Sequence, residues 1–195
     1  MRGRPHCFVI AGPNGAGKST AAPALLRDLL GVAEYVNADL IAQGLSAFDA
    51  QSVAFQAGRV MLQRLHQLAA GRRHFAFETT LATRGYLPWL RSLQADGYAF
   101  ALAFLWLPSP EMAVARVAER VRSGGHDVPE AVIRRRYVRG LDNFFRRYRT
   151  QADRWWLIDN ATADGSQRLI ATGGRDVADH VGRPEVWNPL LETYL

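Results

Sequence analysis

The sequence predicts an α/β fold, a parallel sheet with helices on both faces, and three observations lead there. Short apolar runs at 6–11, 34–37, 74–77, 98–107 and 155–158 alternate with segments of helical period. The first run feeds Gly12-Pro13-Asn14-Gly15-Ala16-Gly17-Lys18-Ser19-Thr20, which matches G-x-x-x-x-G-K-[ST] at each fixed position. Carboxylates and hydroxyls follow the strand runs directly, where open α/β sheets gather ligands.

Taken in order, His6-Cys7-Phe8-Val9-Ile10-Ala11 reads as a buried parallel strand. After the glycine loop, Ser19 to Leu30 reads as a helix with Leu25, Leu26, Leu29 and Leu30 on one side and Gly31 as its stop. Glu34 to Asn37 is a second strand ending at Asn37-Ala38-Asp39, and Leu40-Ile41-Ala42 can begin a short helix. Asp49 is expected to cap a long helix to Ala70, with Val53, Ala57, Val60, Met61, Leu65 and Leu68 inward and Gly71 closing it. His74 to Phe77 is the next strand and delivers Glu78-Thr79-Thr80. A helix from about Tyr86 to Ala95 ends at Gly97, and Tyr98 to Leu107 is a strand covered on both faces and stopped by Pro108. A helix from Pro110 to Arg122, the break Ser123-Gly124-Gly125-His126-Asp127-Val128-Pro129 and a second basic helix follow. Trp155 to Ile158 and Arg168 to Thr172 are late strands, and the tail from Pro184, with Trp187, Leu190, Leu191 and Tyr194, packs back on the domain.

The glycine loop implies a nucleoside triphosphate. Its glycines (Gly12, Gly15, Gly17) let N–H groups turn onto phosphates, with Pro13, Asn14, Ala16 and Thr20 completing the cradle. Ser19 can offer its hydroxyl to Mg²⁺. Lys18 is the only lysine among the 24 basic residues, kept where a compact ammonium must reach the β- and γ-phosphates. With the flanking strand and helix, the expectation is a three-layer P-loop NTPase-type sheet.

At 195 residues, 48% hydrophobic and 22% charged, the chain is expected to be one domain, 1–195, without a membrane span. Its single cysteine, Cys7, fits a reducing compartment, and no signal peptide is legible, so a cytoplasmic protein is expected. The net charge of +6 invites nucleic acid as a partner. Yet eleven arginines fall between Arg116 and Arg154 with no RNA-binding or helix-turn-helix pattern, and they can serve a nucleotide's phosphates instead.

Two carboxylates beside a γ-phosphate favour a kinase over a switch, because transfer needs a base or orienting group for the acceptor hydroxyl. Asp39 is the candidate base, with a helix N-cap as its plainer role. Glu78 can hold Mg²⁺ through water, bind substrate hydroxyls, or act as a cap. The arginine-rich helix, Gly-Gly-His, helix layout at about 116–140 has the form of a closing lid that stabilises charge in transfer. Arg116 and Arg120 share a helix face there, whereas Arg134 to Arg136 point in three directions. His126 is expected at a turn or hinge.

The glycine loop, Asn37-Ala38-Asp39, Phe77-Glu78-Thr79-Thr80-Leu81 and the stretch Arg120 to Pro129 together resemble the zeta toxin family in its short single-domain form, over about Phe8 to Asn160. The resemblance implies an ATP-dependent kinase related to chloramphenicol phosphotransferase, acting on a hydroxyl of a UDP-activated sugar such as UDP-N-acetylglucosamine, with a small antitoxin protein as partner. It assigns Lys18 to the phosphates, Asp39 as base, Glu78 and Thr80 to the sugar-nucleotide site, and Arg120 and Arg136 to the lid. The chain departs from the family at Ala82, where those toxins carry an arginine that helps hold the sugar nucleotide, with Arg84 two residues on. It also lacks the arginine and histidine that follow the base. Kinases for an antibiotic, a free sugar or a nucleic-acid end, and a non-catalytic ATP-binding module, remain the alternatives.

Overall fold

The structure is a computed structural model that describes residues 4–23, 26, 32–47, 49, 52–125, 127–161 and 166–195. Its elements run β1 (His6–Ala11), α1 (Lys18–Ala22), β2 (Glu34–Val36), α2 (Ala38–Leu45), α3 (Ala54–Ala70), β3 (Phe75–Thr79), α4 (Tyr86–Ala95) and β4 (Ala99–Trp106). Then come α5 (Pro110–Arg122), α6 (Glu130–Asn143), a π-helical turn (Phe144–Tyr148), α7 (Arg149–Gln151), β5 (Arg154–Asp159), β6 (Arg168–Gly174), β7 (Val177–Val181) and α8 (Pro184–Tyr194).

The strands form one sheet in the order β2-β3-β1-β4-β5-β6-β7. The first five are mutually parallel, as expected, whereas β5–β6 and β6–β7 are antiparallel. β1 is central, flanked by β3 and β4, so the chain reverses its direction across the sheet at the strand that carries the glycine loop. That crevice is where open sheets bind ligands.

Alternation divides the two faces. Cys7 and Val9 register with Phe75, Phe77, Phe100 and Leu102, giving a bulky face over which α3, α4, α5 and α6 pack Leu65, Leu90, Val117 and Ile133. Phe8 and Ile10 lie with Ala76 on the opposite face, against Ala22 and Leu26. Glu78 pairs in register with Ile10 and is carried on that same face.

The π-helical turn explains how Phe144 and Phe145, adjacent in sequence, are both fully buried: the wider turn rotates one more side chain inward. Among the remaining differences, Asp49 caps no helix. It accepts from Ser52 N in a preceding turn, and α3 starts at Ala54 with Val53 at its cap. The sequence reading of 19–30 is met at Lys18–Ala22 and by buried Leu26, while Leu25, Leu29, Leu30 and Gly31 lie outside the described residues, as does His126. Val60, expected inward, is exposed. No helix among the described residues is long and apolar enough to cross a membrane.

Candidate active site

The glycine loop leaves β1 with Gly12 at φ 142, where a side chain would strike the carbonyl of Leu105 on β4. Gly15 and Gly17 are left-handed, a backbone alternation that turns successive N–H groups to one side. The loop is held from across the sheet. Asn160, just past β5, donates its Nδ2 to Ala16 O at 2.7 Å, and a Cβ on Gly17 would lie 2.6 Å from that amide. Arg116 of α5 in turn donates to Asn160 O at 2.7 Å.

Lys18 is buried, and its Nζ donates to Pro13 O at 2.9 Å and lies 3.6 Å from Glu78 Oε1. Burial pushes its ammonium below the ordinary lysine value, and Glu78 and Asp39 oppose that shift. The other oxygen of Glu78 accepts from Tyr35 Oη (2.6 Å), Ser19 Oγ (2.8 Å) and Asn37 Nδ2 (2.9 Å). Burial and then the Glu78 charge raise the Tyr35 phenol above its usual range, so Tyr35 stays a donor. Asn37 serves twice: its Oδ1 caps α2 by accepting from Asp39 N (2.7 Å) and Leu40 N (3.3 Å). The helix cap is therefore Asn37, and Asp39 stands in the first turn, free of the capping role the sequence left open to it.

Two cavities meet at this group. One, of about 410 Å³, is bounded by Gly15, Gly17, Ser19, Thr20, Arg116 and Arg120. The other, of about 340 Å³, is bounded by Thr79, Thr80, Ala82, Thr83, Tyr86 and by Arg135, Arg136 and Arg139 of α6. Asn14, Lys18, Asp39 and Glu78 line both, so they form the wall between a space on the glycine-loop side and a space on the α6 side. Arg136 Nη1 reaches Asn14 Oδ1 at 3.4 Å, and burial lowers its guanidinium while Asp39 opposes this.

The floor of the second cavity is fixed by α6 and its continuation. Gly140 passes so close to β3 that a Cβ would lie 2.6 Å from Thr80 O. Buried Asn143 donates to Leu81 O at 2.8 Å, and Tyr148 Oη donates to Thr83 O at 2.7 Å. Leu81 itself is left-handed at φ 58, a strained conformation for a branched side chain that these contacts hold in place. Arg84 turns away from the cavity, to Asn143 Oδ1 (3.1 Å) and Asp142 (3.5 Å).

The structure thus brings Gly12 to Thr20, Asp39, Glu78, Thr80, Arg120 and Arg136 to one crevice. Sequence reasoning missed Tyr35, Asn143, the Asn160–Arg116 tie and the second-cavity positions of Arg135 and Arg139. Residue type gave no signal for the first three, and helical phase alone could not say which face of α6 meets β3. Ser19 Oγ and the Glu78 carboxylate supply two adjacent hard oxygens, and no group of three or more His, Cys, Asp or Glu among the described residues could hold a metal alone. Such a donor set fits Mg²⁺, which keeps waters and takes phosphate oxygens as ligands.

The AAA_33 family, described as AAA domain, matches residues 8–139. A Haemophilus influenzae protein described as uncharacterized is 26% identical over 126 residues, which are 65% of this chain and 88% of that one. Among solved structures, the AvrRxo1-ORF1:AvrRxo1-ORF2 complex with sulphate ions is similar at TM-score 0.74 and 16% identity, over 96% of this chain. This chain spans 64% of the length of that match. A chain of the PezAT chromosomal toxin-antitoxin system of Streptococcus pneumoniae matches at TM-score 0.68 and 16% identity, over 100% of this chain and 80% of that one. A gluconokinase from Sinorhizobium meliloti 1021 matches at TM-score 0.51 and 17% identity, over 99% and 95%. The expected likeness to zeta toxin-like P-loop kinases therefore holds as a likeness of fold. With the family pattern spanning the glycine loop, both cavities and most of α6, this chain belongs to the AAA_33 family of AAA-domain proteins and has a P-loop kinase-like fold.

Proposed function

We propose that this protein is a kinase that transfers the γ-phosphate of ATP to a hydroxyl of a small molecule, with a UDP-activated sugar as the leading acceptor. The observation that carries the reading is the shared wall: Lys18, Asp39 and Glu78 separate a phosphate-side cavity from a second cavity of substrate size. A nucleotide-binding module that uses ATP only as a signal has no need of the second cavity.

In this reading the glycine loop takes the β- and γ-phosphates, and Lys18 leaves Pro13 O to reach them. Ser19 and Glu78 would hold Mg²⁺, which would supply positive charge to offset that of the nucleotide's phosphates. Asp39 orients the acceptor hydroxyl and takes its proton. The acceptor oxygen bonds to the γ-phosphorus as the bond from that phosphorus to the β–γ bridging oxygen breaks, leaving ADP and the phosphorylated acceptor. Arg120 and Arg136 approach from the segment at about 116–140, which acts as the lid, and stabilise the equatorial oxygens. Buried Val117, Ile133 and Leu141 anchor both helices of that segment, which favours a small closing movement over a large swing. The single domain 1–195, and a small antitoxin protein covering the crevice, belong to the same proposal.

Ala82 and the diversion of Arg84 favour a second reading, a kinase for a hydroxyl acceptor other than a UDP-sugar. The deciding experiment is transfer from γ-labelled ATP with Mg²⁺ to UDP-N-acetylglucosamine and a panel of other hydroxyl compounds. Lys18→Ala and Asp39→Ala are each expected to abolish transfer while the fold, followed by circular dichroism, persists. Full activity in the Asp39 variant removes it as the base, and ATP binding without transfer to any acceptor favours the signalling module.

A further inference from the structure

The second cavity holds more positive charge than phosphoryl transfer uses. We infer that Arg135 and Arg139 form a clamp for a phosphate or diphosphate carried by the acceptor itself, so that the substrate class is an anionic hydroxyl compound and a neutral one is rejected. The inference rests on the kinase reading for its naming of the occupant as an acceptor.

Arg135 and Arg139 are four residues apart and share a face of α6, and both line the cavity beside Arg136. Their neighbours are already neutralised. Arg134 pairs with Glu111 at 2.6 Å and Glu130 at 2.7 Å, while Arg146 and Arg84 share Asp142. No ion pair to Arg135 or Arg139 is found among the described residues. Of the carboxylates on the facing wall, Glu78 is committed elsewhere and Asp39 is shared. Glu78 is occupied by Lys18, Ser19, Tyr35 and Asn37, and Asp39 acts on Lys18 and Arg136. Three arginines therefore line a space of about 340 Å³, Arg136 half-buried and Arg135 and Arg139 exposed at its rim, and Arg135 adds to the lowering that burial imposes on Arg136.

Like charges gathered at a cavity are costly unless an anion joins them, and guanidinium forks match phosphate oxygens in pairs. The placement is rigid rather than incidental. Gly140 abuts Thr80 O, Tyr137 Oη donates to Leu107 O at 2.7 Å, and Ile133 and Leu141 are buried, so α6 is held in the rotation that presents this face. The loop opposite contributes Ala82 and Thr83 and no cation, because Arg84 is taken by Asn143 and Asp142. Beyond Lys18 on the shared wall, the positive charge that lines this cavity comes from α6.

The test begins with inorganic pyrophosphate, titrated by calorimetry into protein saturated with Mg²⁺ and a non-hydrolysable ATP analogue, so that the glycine loop is filled. One site is expected, and Arg135→Gln and Arg139→Gln should each weaken it about tenfold, the scale of one charge-assisted contact. Arg135→Lys should recover part of that loss. Transfer is then compared within acceptor pairs that differ only in charge, glucose with glucose 6-phosphate and N-acetylglucosamine with UDP-N-acetylglucosamine. Activity should reside in the charged member, with the glutamine variants raising KM far more than they lower kcat, and with a KM that climbs with salt in the wild type only. Absence of pyrophosphate binding, equal binding by the double variant, or preference for a neutral acceptor overturns the clamp. Pyrophosphate binding that the variants lose, with no acceptor phosphorylated, keeps the clamp and removes the kinase reading.

Discussion

Asn37 shows how much one side chain can decide at this site. Its two polar atoms do opposite work: Oδ1 accepts from the first turn of α2, and Nδ2 donates to Glu78. Serine and aspartate cap helices about as well as asparagine, so the cap alone predicts little difference between Asn37→Ser and Asn37→Asp. The Glu78 contact predicts a large one. Serine merely withdraws a donor, whereas aspartate sets a second carboxylate against Glu78 in a pocket where Lys18 is already shared. Asn37→Asp is therefore expected to be less stable than Asn37→Ser by about 1–3 kcal/mol at neutral pH, the cost of a buried polar group without its partner. Urea titrations of both variants decide it, and equal midpoints with equal slopes would show that Glu78 does not oppose a second carboxylate at position 37. None of this was legible in the sequence, because Asn37 follows β2, Glu78 lies on β3, and the two are joined only through the β2–β3 pairing.

Among the elements, α6 does most to shape the second cavity, and two glycines separate its packing from its propensity. In the interior of a helix, alanine is favoured over glycine by about 1 kcal/mol. Gly58 on α3 has nothing within 4 Å of where a Cβ would sit, so Gly58→Ala should gain roughly that amount, about 1 kcal/mol. Gly140 on α6 would place its Cβ 2.6 Å from Thr80 O, a backbone atom that cannot swing aside. Gly140→Ala should thus lower the melting temperature despite its better propensity, and should raise KM for the acceptor more than for ATP as α6 is pushed off β3. Thermal melts of the two variants should move in opposite directions. A stabilised Gly140→Ala protein with unchanged kinetics would mean that α6 is not packed on the β3 exit. The sequence placed α4 and α5 at their observed ends, since Gly97 and Ser109-Pro110 punctuate them clearly. It could not place β7, an edge strand of exposed residues with no apolar run, or the π-helical turn, which only the burial of adjacent phenylalanines reveals.

For the whole molecule, the centre of the sheet was legible because strands buried on both faces read as unbroken apolar runs, and the glycine loop because its chemistry fixes residue types. The same centre carries a reporter. Cys7 is the only cysteine, it is fully buried on β1, and its neighbours in register are Phe75 of β3 and Phe100 of β4. Burial pushes its thiol well above the ordinary cysteine value, so the reactive thiolate is suppressed as well as shielded. A thiol reagent can reach it only when the central strands separate, which makes the labelling rate a measure of global opening. A ligand that binds the folded protein and not the unfolded chain suppresses that opening by the factor 1 + [L]/Kd, about 100-fold and about 2.7 kcal/mol at a concentration of 100 Kd. ATP with Mg²⁺ should slow labelling of Cys7 by this factor in the wild type and hardly at all in Lys18→Ala, because the glycine loop follows directly from β1. Reaction at the rate of a free thiol without denaturant would contradict the burial of β1. Slow labelling that ATP leaves unchanged would instead remove the nucleotide from the glycine loop, since no ligand can bind at the end of this strand without stabilising the sheet that holds it.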